Sequence, residues 1–272
     1  LSTEDANGKN VAIGFHSLVS QNAGADAYNV AIGFKAGENV STGVQNTLIG
    51  GSAGDSLTEG GYNVAIGYNA LSTEDAHGTN IAIGKSALQN LNAGANAYNV
   101  AVGFEAGLNI TTGVENNLFG ALAGDSLTTG SYNVAFGKGA LTNEDTGSRN
   151  VAIGSRALNS LNYDGNGYNI AIGYDAGLNM STGTLNTIVG AAAGDALTTG
   201  GNNTAVGHEA LSTEDTGARN TAIGEGSLKT LNFDGNGYNT AVGYNSGHLM
   251  STGTVNTIIG GEKYQQEFKI LL

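Results

Sequence analysis

A five-residue motif, Asn-x-(Ala/Leu/Ile)-(Ile/Val/Phe)-Gly, recurs along nearly the whole chain and constrains its fold more than any other feature. Its asparagines stand at Asn10, Asn29, Asn46, Asn63, Asn80, Asn99, Asn116, Asn133, Asn150, Asn169, Asn186, Asn203, Asn220, Asn239 and Asn256. One longer step and three equal shorter steps lead from Asn10 to Asn80, and this cycle then repeats, which gives a second period of about 70 residues. Short repeats bury their apolar faces by stacking on one another, so the periodicity predicts a repeat protein.

The repeat at 63–79 shows how one turn is built. Val64 and Ile66 share one face of an extended segment and Ala65 lies on the other, because successive strand side chains alternate. A turn this short pairs with the next in parallel, so we predict an all-β parallel β-roll, or β-solenoid, of about 15 turns of about 17 to 19 residues each. A second short strand or a single helical turn is expected in the rest of each repeat. The roll is assigned to residues 1–261, and residues 262–272 are expected to form a C-terminal cap or the start of a stalk.

Three positions of the motif have structural interpretations. The position of Ile66 is apolar in every copy and is interpreted as the buried core column. The glycine at Gly67 is expected to adopt a positive φ or to meet another backbone closely. The asparagines are expected to form an amide ladder along the stack, with a row of ligand-binding amides as the alternative.

The position of Ala65 indicates a second packed face. Every fourth repeat places a large residue there, namely Leu48, Leu118, Ile188 and Ile258. Three residues later the same repeats carry a small residue, Gly51, Ala121, Ala191 and Gly261, where other repeats carry a larger one such as Tyr68. We interpret this as volume compensation in a shared packed space. A single coil has only one interior, so the alanine face is expected to pack against neighbouring chains.

Composition narrows the classes of partner. The formal net charge of −13 argues against nucleic acid or an anionic membrane as the main partner. The chain has no cysteine, which excludes disulfides and thiolate metal sites. No apolar run approaches the roughly 20 residues that span a bilayer, and no leader peptide is visible. Because the sequence begins inside a repeat, we expect a piece of a longer protein or a processed product.

The repeats resemble those of two known groups. Residues 63–71, Asn-Val-Ala-Ile-Gly-Tyr-Asn-Ala-Leu, and 203–211, Asn-Thr-Ala-Val-Gly-His-Glu-Ala-Leu, resemble the Asn-Thr-Ala-Ile-Gly repeats of bacteriophage tail fibres. They are also similar to the repeats in the YadA-like heads of trimeric autotransporter adhesins. The resemblance covers residues 1–261. The turns are longer than the adhesin-head repeats, and neither a membrane anchor nor a chaperone domain is visible.

The resemblance implies a left-handed roll that forms a homotrimer through one face. The protein would be a structural or attachment module, the shaft or head of a viral tail fibre or a bacterial adhesin. It would be extracellular, on a virion or a cell surface, with a host glycan or protein as a possible receptor. Viral or bacterial origin and the identity of the receptor do not follow from these residues.

No catalytic, cofactor-binding or metal-binding residue is predicted, and the chain is not expected to be an enzyme. The histidines, His16, His77, His208 and His248, occupy unrelated positions in the repeat. The Asp-Gly-Asn-Gly segments at 164–167 and 234–237 look like parts of a calcium loop but lack its spaced acidic ligands. Turn chemistry is the favoured interpretation, with a weak calcium site as the alternative.

A second hypothesis is a monomeric solenoid that binds ice or serves as an extracellular scaffold filament. Ice binding requires a regular array of threonines, and the first strand position is threonine in five consecutive repeats from Thr187 to Thr257. The aromatic residues Tyr68, Tyr174 and Tyr244 are candidates for stacking on sugars. The volume argument favours their interpretation as packing residues.

Overall fold

The chain divides into two compact units, residues 1–133 and 134–272, and a computed structural model describes residues 8–261. In that range each repeat contributes one three-residue strand and no helix is present. The first unit contains β1 (Val11–Ile13), β2 (Val30–Ile32), β3 (Thr47–Ile49), β4 (Val64–Ile66), β5 (Ile81–Ile83), β6 (Val100–Val102) and β7 (Asn117–Phe119). The second contains β8 (Val134–Phe136), β9 (Val151–Ile153), β10 (Ile170–Ile172), β11 (Thr187–Val189), β12 (Thr204–Val206), β13 (Thr221–Ile223), β14 (Thr240–Val242) and β15 (Thr257–Ile259). The predicted cap or stalk at 262–272 lies outside the described residues.

Within each unit the strands pair in parallel with the strand of the next coil. The order is β1 to β7 in the first unit and β8 to β15 in the second. The register places identical motif positions side by side, as where Ala65 of β4 pairs with Ala82 of β5. The prediction of an all-β parallel solenoid with one coil per repeat is therefore confirmed.

Outside the strands the described coils are made of turns and irregular segments, with isolated parallel bridges between Ser148 and Asn166 and between Ala218 and Asn236, so the expectation of a second strand or a helical turn was wrong. The N–H of Ala70 donates to the carbonyl of Gly67 at 3.4 Å, and the N–H of Leu71 donates to Ala87 of the next coil at 3.0 Å. Asn69 and Leu71 have φ angles of 55° and 52°. Such left-handed residues turn the chain sharply and fit neither a strand nor a right-handed helix.

The alanine column forms the interior of each unit. It is fully buried from Ala31 onwards in the first unit and up to Ala241 in the second, whereas Val64 and Ile66 on the opposite face are only half-buried. The interpretation of the Ile66 column as the core was therefore wrong, and so was the expectation that the Ala65 face meets other chains. So short a coil encloses a narrow space that Leu71 and the motif asparagines also occupy. Little room remains for a β-branched column on the same side.

Volume compensation does occur, but inside the coil. A Cβ at Gly37 would lie 2.7 Å from Leu48 Cδ1, and a Cβ at Gly54 would lie 2.8 Å from Leu48 Cδ2. The larger residue at position 48 therefore fills the space that two glycines leave open. Related pairings join Leu118 with Gly107 and Gly124, Ile188 with Gly177 and Gly194, and Ile258 with Gly247. Gly51 instead faces the exposed Tyr68, so it takes no part in this packing.

The motif glycine serves both expected purposes. Gly67 has a φ of 139°, and a Cβ on it would lie 2.4 Å from the carbonyl oxygen of Gly84 in the next coil. Glycine is therefore required by backbone conformation and by the spacing of the coils.

The motif asparagines form the expected ladder. Asn63 Oδ1 accepts the backbone N–H of Asn80 at 3.0 Å. Asn46 Nδ2 donates to the carbonyl of Gly60 at 2.8 Å. These side chains are buried, which rules out the alternative of a ligand-binding row. The left-handed residue at this corner precedes the asparagine, as at Tyr62 with a φ of 61°.

Candidate interaction surface

The first and third residues of every described strand point away from the interior and are half-buried or exposed. We call these residues the outer strand face. Its third-residue column holds Ile13, Ile32, Ile49, Ile66, Ile83, Val102 and Phe119 in the first unit, and Phe136, Ile153, Ile172, Val189, Val206, Ile223, Val242 and Ile259 in the second. Isoleucine, valine and phenylalanine are among the residues most often buried in proteins. A continuous column of them, half-buried or exposed along each unit, indicates an interaction surface.

The size of this face is close to that of a stable interface. Strands about 4.8 Å apart give seven coils a length of about 34 Å. With the exposed residues on either side of each strand, the face is roughly 15–20 Å wide, or about 500–700 Å² per unit. Stable protein interfaces bury about 800 Å² on each partner. Each unit therefore provides most of the area that one specific interface needs.

In each unit, two rows of exposed aromatic side chains flank the outer strand face. The pre-strand row is Tyr28, Tyr62, Tyr98, Tyr132, Tyr168 and Tyr238, exposed by 45% to 59%. The post-strand row is Phe15, Phe34, Tyr68, Phe104, Tyr174 and Tyr244, exposed by 46% to 62%. Tyr68, Tyr174 and Tyr244 therefore do not pack in the interior of the chain, and their packing against neighbouring chains stays a prediction. Their rings are available to a partner or a ligand.

Cationic side chains of adjacent coils stand over several of these rings. Lys85 Nζ lies 4.9 Å from the ring centre of Phe104, and the Arg156 guanidinium lies 5.3 Å from that of Tyr174. Arg149 stands over Tyr168 in the same way, at 5.9 Å. Cation–π contacts of this kind hold both side chains in place along the edge of the face.

The threonine column lies on the outer strand face of the second unit. It occupies the first position of β11 to β15, five consecutive coils in register. Thr187, Thr204, Thr221 and Thr240 are half-buried, and Thr257 is exposed. A regular array of hydroxyl and methyl groups therefore accompanies the apolar column there.

Three of the four histidines lie beside carboxylates, which sequence reasoning missed. His16 Nδ1 lies 2.8 Å from Glu38 Oε1, and this bond holds the pKa of Glu38 below its usual range. His77 Nδ1 lies 3.6 Å from Glu74 Oε1, and His208 Nδ1 lies 3.9 Å from Glu209 Oε2. The last two pairs are close in sequence, so their proximity could have been predicted from it. The first joins neighbouring coils and needed the fold.

The Asp-Gly-Asn-Gly loops use their oxygens within the chain. Thr146 Oγ1 donates to Asp164 Oδ1 at 2.6 Å, and Arg149 Nη1 donates to Asn166 Oδ1 at 2.6 Å. Thr216 donates to Asp234 in the same way, at 2.7 Å. These bonds favour the interpretation of the loops as turns.

Between residues 8 and 261 no helix has the length and apolar character needed to cross a bilayer. Comparisons of the chain with family models, with curated proteins and with solved structures found no match. The outer strand face is therefore the starting point for a functional inference.

Proposed function

We propose that the chain is a structural and attachment module without catalytic activity, the shaft or head of a homotrimeric viral tail fibre or bacterial surface adhesin. The observation that carries the proposal is the half-buried to exposed apolar column of the outer strand face. A left-handed roll and an extracellular location on a virion or a cell surface belong to the same proposal, through the resemblance of the repeats. That resemblance also supplies the number of copies.

A further copy of the chain suits this face better than an unrelated protein. No charged residue stands at the first or third position of any strand between β1 and β15. Burying the face therefore removes apolar surface from water without stranding an ion. Two copies of one chain carry the same apolar column at the same coil spacing. Their columns therefore match residue for residue. The proposed contact is the outer strand face and not the Ala65 face.

Attachment would use the aromatic rows and several copies at once. Tyr68, Tyr174 and Tyr244 expose more than half of their surface, and flat rings of this kind stack on sugars. Three copies in one assembly strengthen a weak contact through multivalency. The receptor class that fits best is a glycan.

The first experiment is the solution mass of the intact chain, by light scattering after size exclusion. We expect a mass near three times 27.3 kDa. A mass near 27.3 kDa at micromolar concentration would overturn the assembly. Glycan-array binding that is lost in Tyr68→Ala/Tyr174→Ala/Tyr244→Ala, with the mass unchanged, would support attachment separately from assembly.

The threonine column supports a second candidate, a monomeric solenoid that binds ice. Its hydroxyls stand in register on five coils, as such a surface requires. Thermal hysteresis by a monomeric chain, lost in Thr204→Lys/Thr221→Lys, would favour this candidate. Mass that grows with concentration beyond three copies would instead favour a scaffold filament.

A further inference from the structure

The loop that follows the strand and its turn carries a buried glutamate once in every fourth coil. Glu74, Glu144 and Glu214 are all fully buried. Glu144 Oε1 accepts the backbone N–H of Gly147 at 2.7 Å, and its Oε2 accepts that of Tyr163 at 3.2 Å. Glu214 repeats this with Gly217 at 2.7 Å and Phe233 at 3.2 Å. In these two loops the carboxylate has a structural role, because it satisfies backbone donors of its own coil and the next.

The loop at Glu74 departs from this arrangement. His77 stands where the other two loops have glycine. Glu74 Oε2 accepts a long bond from the N–H of Ala93, at 3.4 Å, and the backbone N–H of His77 acts on the same carboxylate, but Oε1 is buried without a hydrogen-bond partner of normal geometry. His77 Nδ1 is also buried without a partner, and the two atoms face each other at 3.6 Å. Two good ligand atoms therefore lie side by side at ion-pair distance, and neither has a hydrogen-bond partner.

Asp75 completes a set of three. One carboxylate oxygen of Asp75, one of Glu74 and a ring nitrogen of His77 all lie within 4.8 Å of one another. Glu74 is buried, His77 is half-buried and Asp75 is exposed, so the set opens to solvent on one side. The backbone beneath it is held, since the N–H of Thr79 donates to Gly61 of the preceding coil at 3.2 Å.

We propose that Glu74, Asp75 and His77 form a binding site for a divalent transition-metal ion of the Zn²⁺ class. Zinc takes imidazole nitrogen and carboxylate oxygen at about 2.0–2.2 Å, usually with four ligands. The three side chains and one water meet that requirement. The more exposed side chains, Asp75 and His77, turn towards Glu74 so that all three reach the ion. A nitrogen ligand disfavours Ca²⁺ and Mg²⁺, which prefer oxygen alone. The ion engages the two buried atoms that the fold leaves without partners.

The site is independent of the proposed fibre or adhesin function. An ion there ties the loop at 74–77 to one geometry and stabilises that coil. The loops at Glu144 and Glu214 need no ion, because backbone N–H groups hold their carboxylates. The chain therefore provides its own comparison for the test.

The test is a calorimetric titration of the intact, metal-free chain with ZnCl₂. We expect one site per chain and a thermal midpoint that rises with zinc. His77→Gly gives the loop the glycine of its two counterparts, so it should fold normally by far-UV circular dichroism. Its zinc affinity should fall by about 100-fold or more. Glu74→Gln should also weaken zinc binding strongly.

The matched control is His208→Ala, which removes a histidine beside a different glutamate and should leave zinc binding unchanged. Stoichiometric zinc binding that survives in folded His77→Gly would overturn the site. The same conclusion follows if the wild-type chain binds no zinc at millimolar concentration. Tighter binding of CaCl₂ than of ZnCl₂ would overturn the proposed class of ion.

Discussion

The side-chain oxygen of Asn186 accepts the backbone N–H of Asn203, one coil further on, at 2.9 Å. The amide nitrogen of Asn186 donates to the carbonyl of Gly200 at 2.9 Å. One buried side chain thus joins the corner at Asn186 to two later segments of the chain, at Gly200 and at Asn203. Both the donor and the acceptor of the amide are needed, which is why this position of the repeat holds asparagine.

Replacing this amide by a carboxyl group tests the ladder. Asn186→Asp keeps the shape and the acceptor but removes the donor, and it sets a buried carboxylate oxygen against the Gly200 carbonyl. We expect a loss of about 2–3 kcal/mol in the free energy of unfolding, measured by urea denaturation at pH 7. The control Asn179→Asp, at an exposed position of the same unit, should stay within about 0.5 kcal/mol of wild type. Equal effects at both positions would show that the ladder contributes little.

Substitutions at Gly67 and Gly94 distinguish the effect of backbone conformation from that of coil spacing. Both have positive φ, 139° at Gly67 and 69° at Gly94, but a Cβ would meet the Gly84 carbonyl oxygen at 2.4 Å in the first case and open space in the second. Gly94→Ala should therefore cost about 1–2 kcal/mol, the strain of a left-handed alanine. Gly67→Ala should cost more than about 3 kcal/mol, because two coils must also move apart. Urea denaturation measures both, and comparable losses would argue against close backbone packing.

Arginine substitutions on adjacent residues of β10 distinguish the interior from the outer strand face. Ala171 is fully buried and Ile172 is exposed. Ala171→Arg should disrupt the coil, with a loss of folded signal in circular dichroism. Ile32→Arg/Ile172→Arg, with one change in each unit, should keep the folded signal but lower the solution mass to that of one chain. An arginine in a buried apolar contact lacks a partner for its charge.

The matched control for the assembly is Asn179→Arg, which adds the same charge to an exposed turn of the β10 repeat. Its solution mass should equal that of wild type. An Ile32→Arg/Ile172→Arg chain that remains folded and unchanged in mass would exclude the outer strand face as the contact between copies.

Stability should rise as the pH is lowered from 7 towards 5. Burial raises the pKa of Glu144 and of Glu214 above the ordinary value of 4.5. The folded state therefore binds protons more readily than the unfolded state, and this contribution is fully present below pH 4.5 and is lost as the pH rises through the raised pKa. Hydrogen bonds from His16 and Lys229 lower the pKa of Glu38 and of Glu209, so their opposite contribution is lost only below pH 4.5.

The thermal midpoint by circular dichroism at pH 5, 6 and 7 measures this dependence. Glu144→Gln/Glu214→Gln should be less stable at every pH, because an amide nitrogen then faces backbone N–H groups. Its midpoint should also change less between pH 5 and 7 than that of wild type, since two titrating groups are gone. Parallel pH profiles for the two proteins would contradict the assignment to these glutamates.

The sequence by itself determined the repeating coil. So short a period, with one β-branched segment in each copy, leaves little alternative to parallel stacking, and the strand at Val64–Ile66 appears where the motif predicts it. The role of the invariant glycine could also be predicted, because glycine at every equivalent position indicates a positive φ or a close approach of another backbone. The spacing of the asparagines predicted the ladder. It did not predict that the amides bond mainly to backbone N–H and carbonyl groups.

Only the tertiary structure decided which face of the strand is inside. Because strand side chains alternate, Ala65 and Ile66 point in opposite directions. This alternation holds whether the alanine or the isoleucine is inside. The closure of a narrow coil around Leu71 and the asparagines admits the small residue and turns the isoleucine outward. The same closure sets His77 beside the buried Glu74 carboxylate. Sequence periodicity records which residues share a face, whereas the volume enclosed by the folded coil determines which of the two faces is buried.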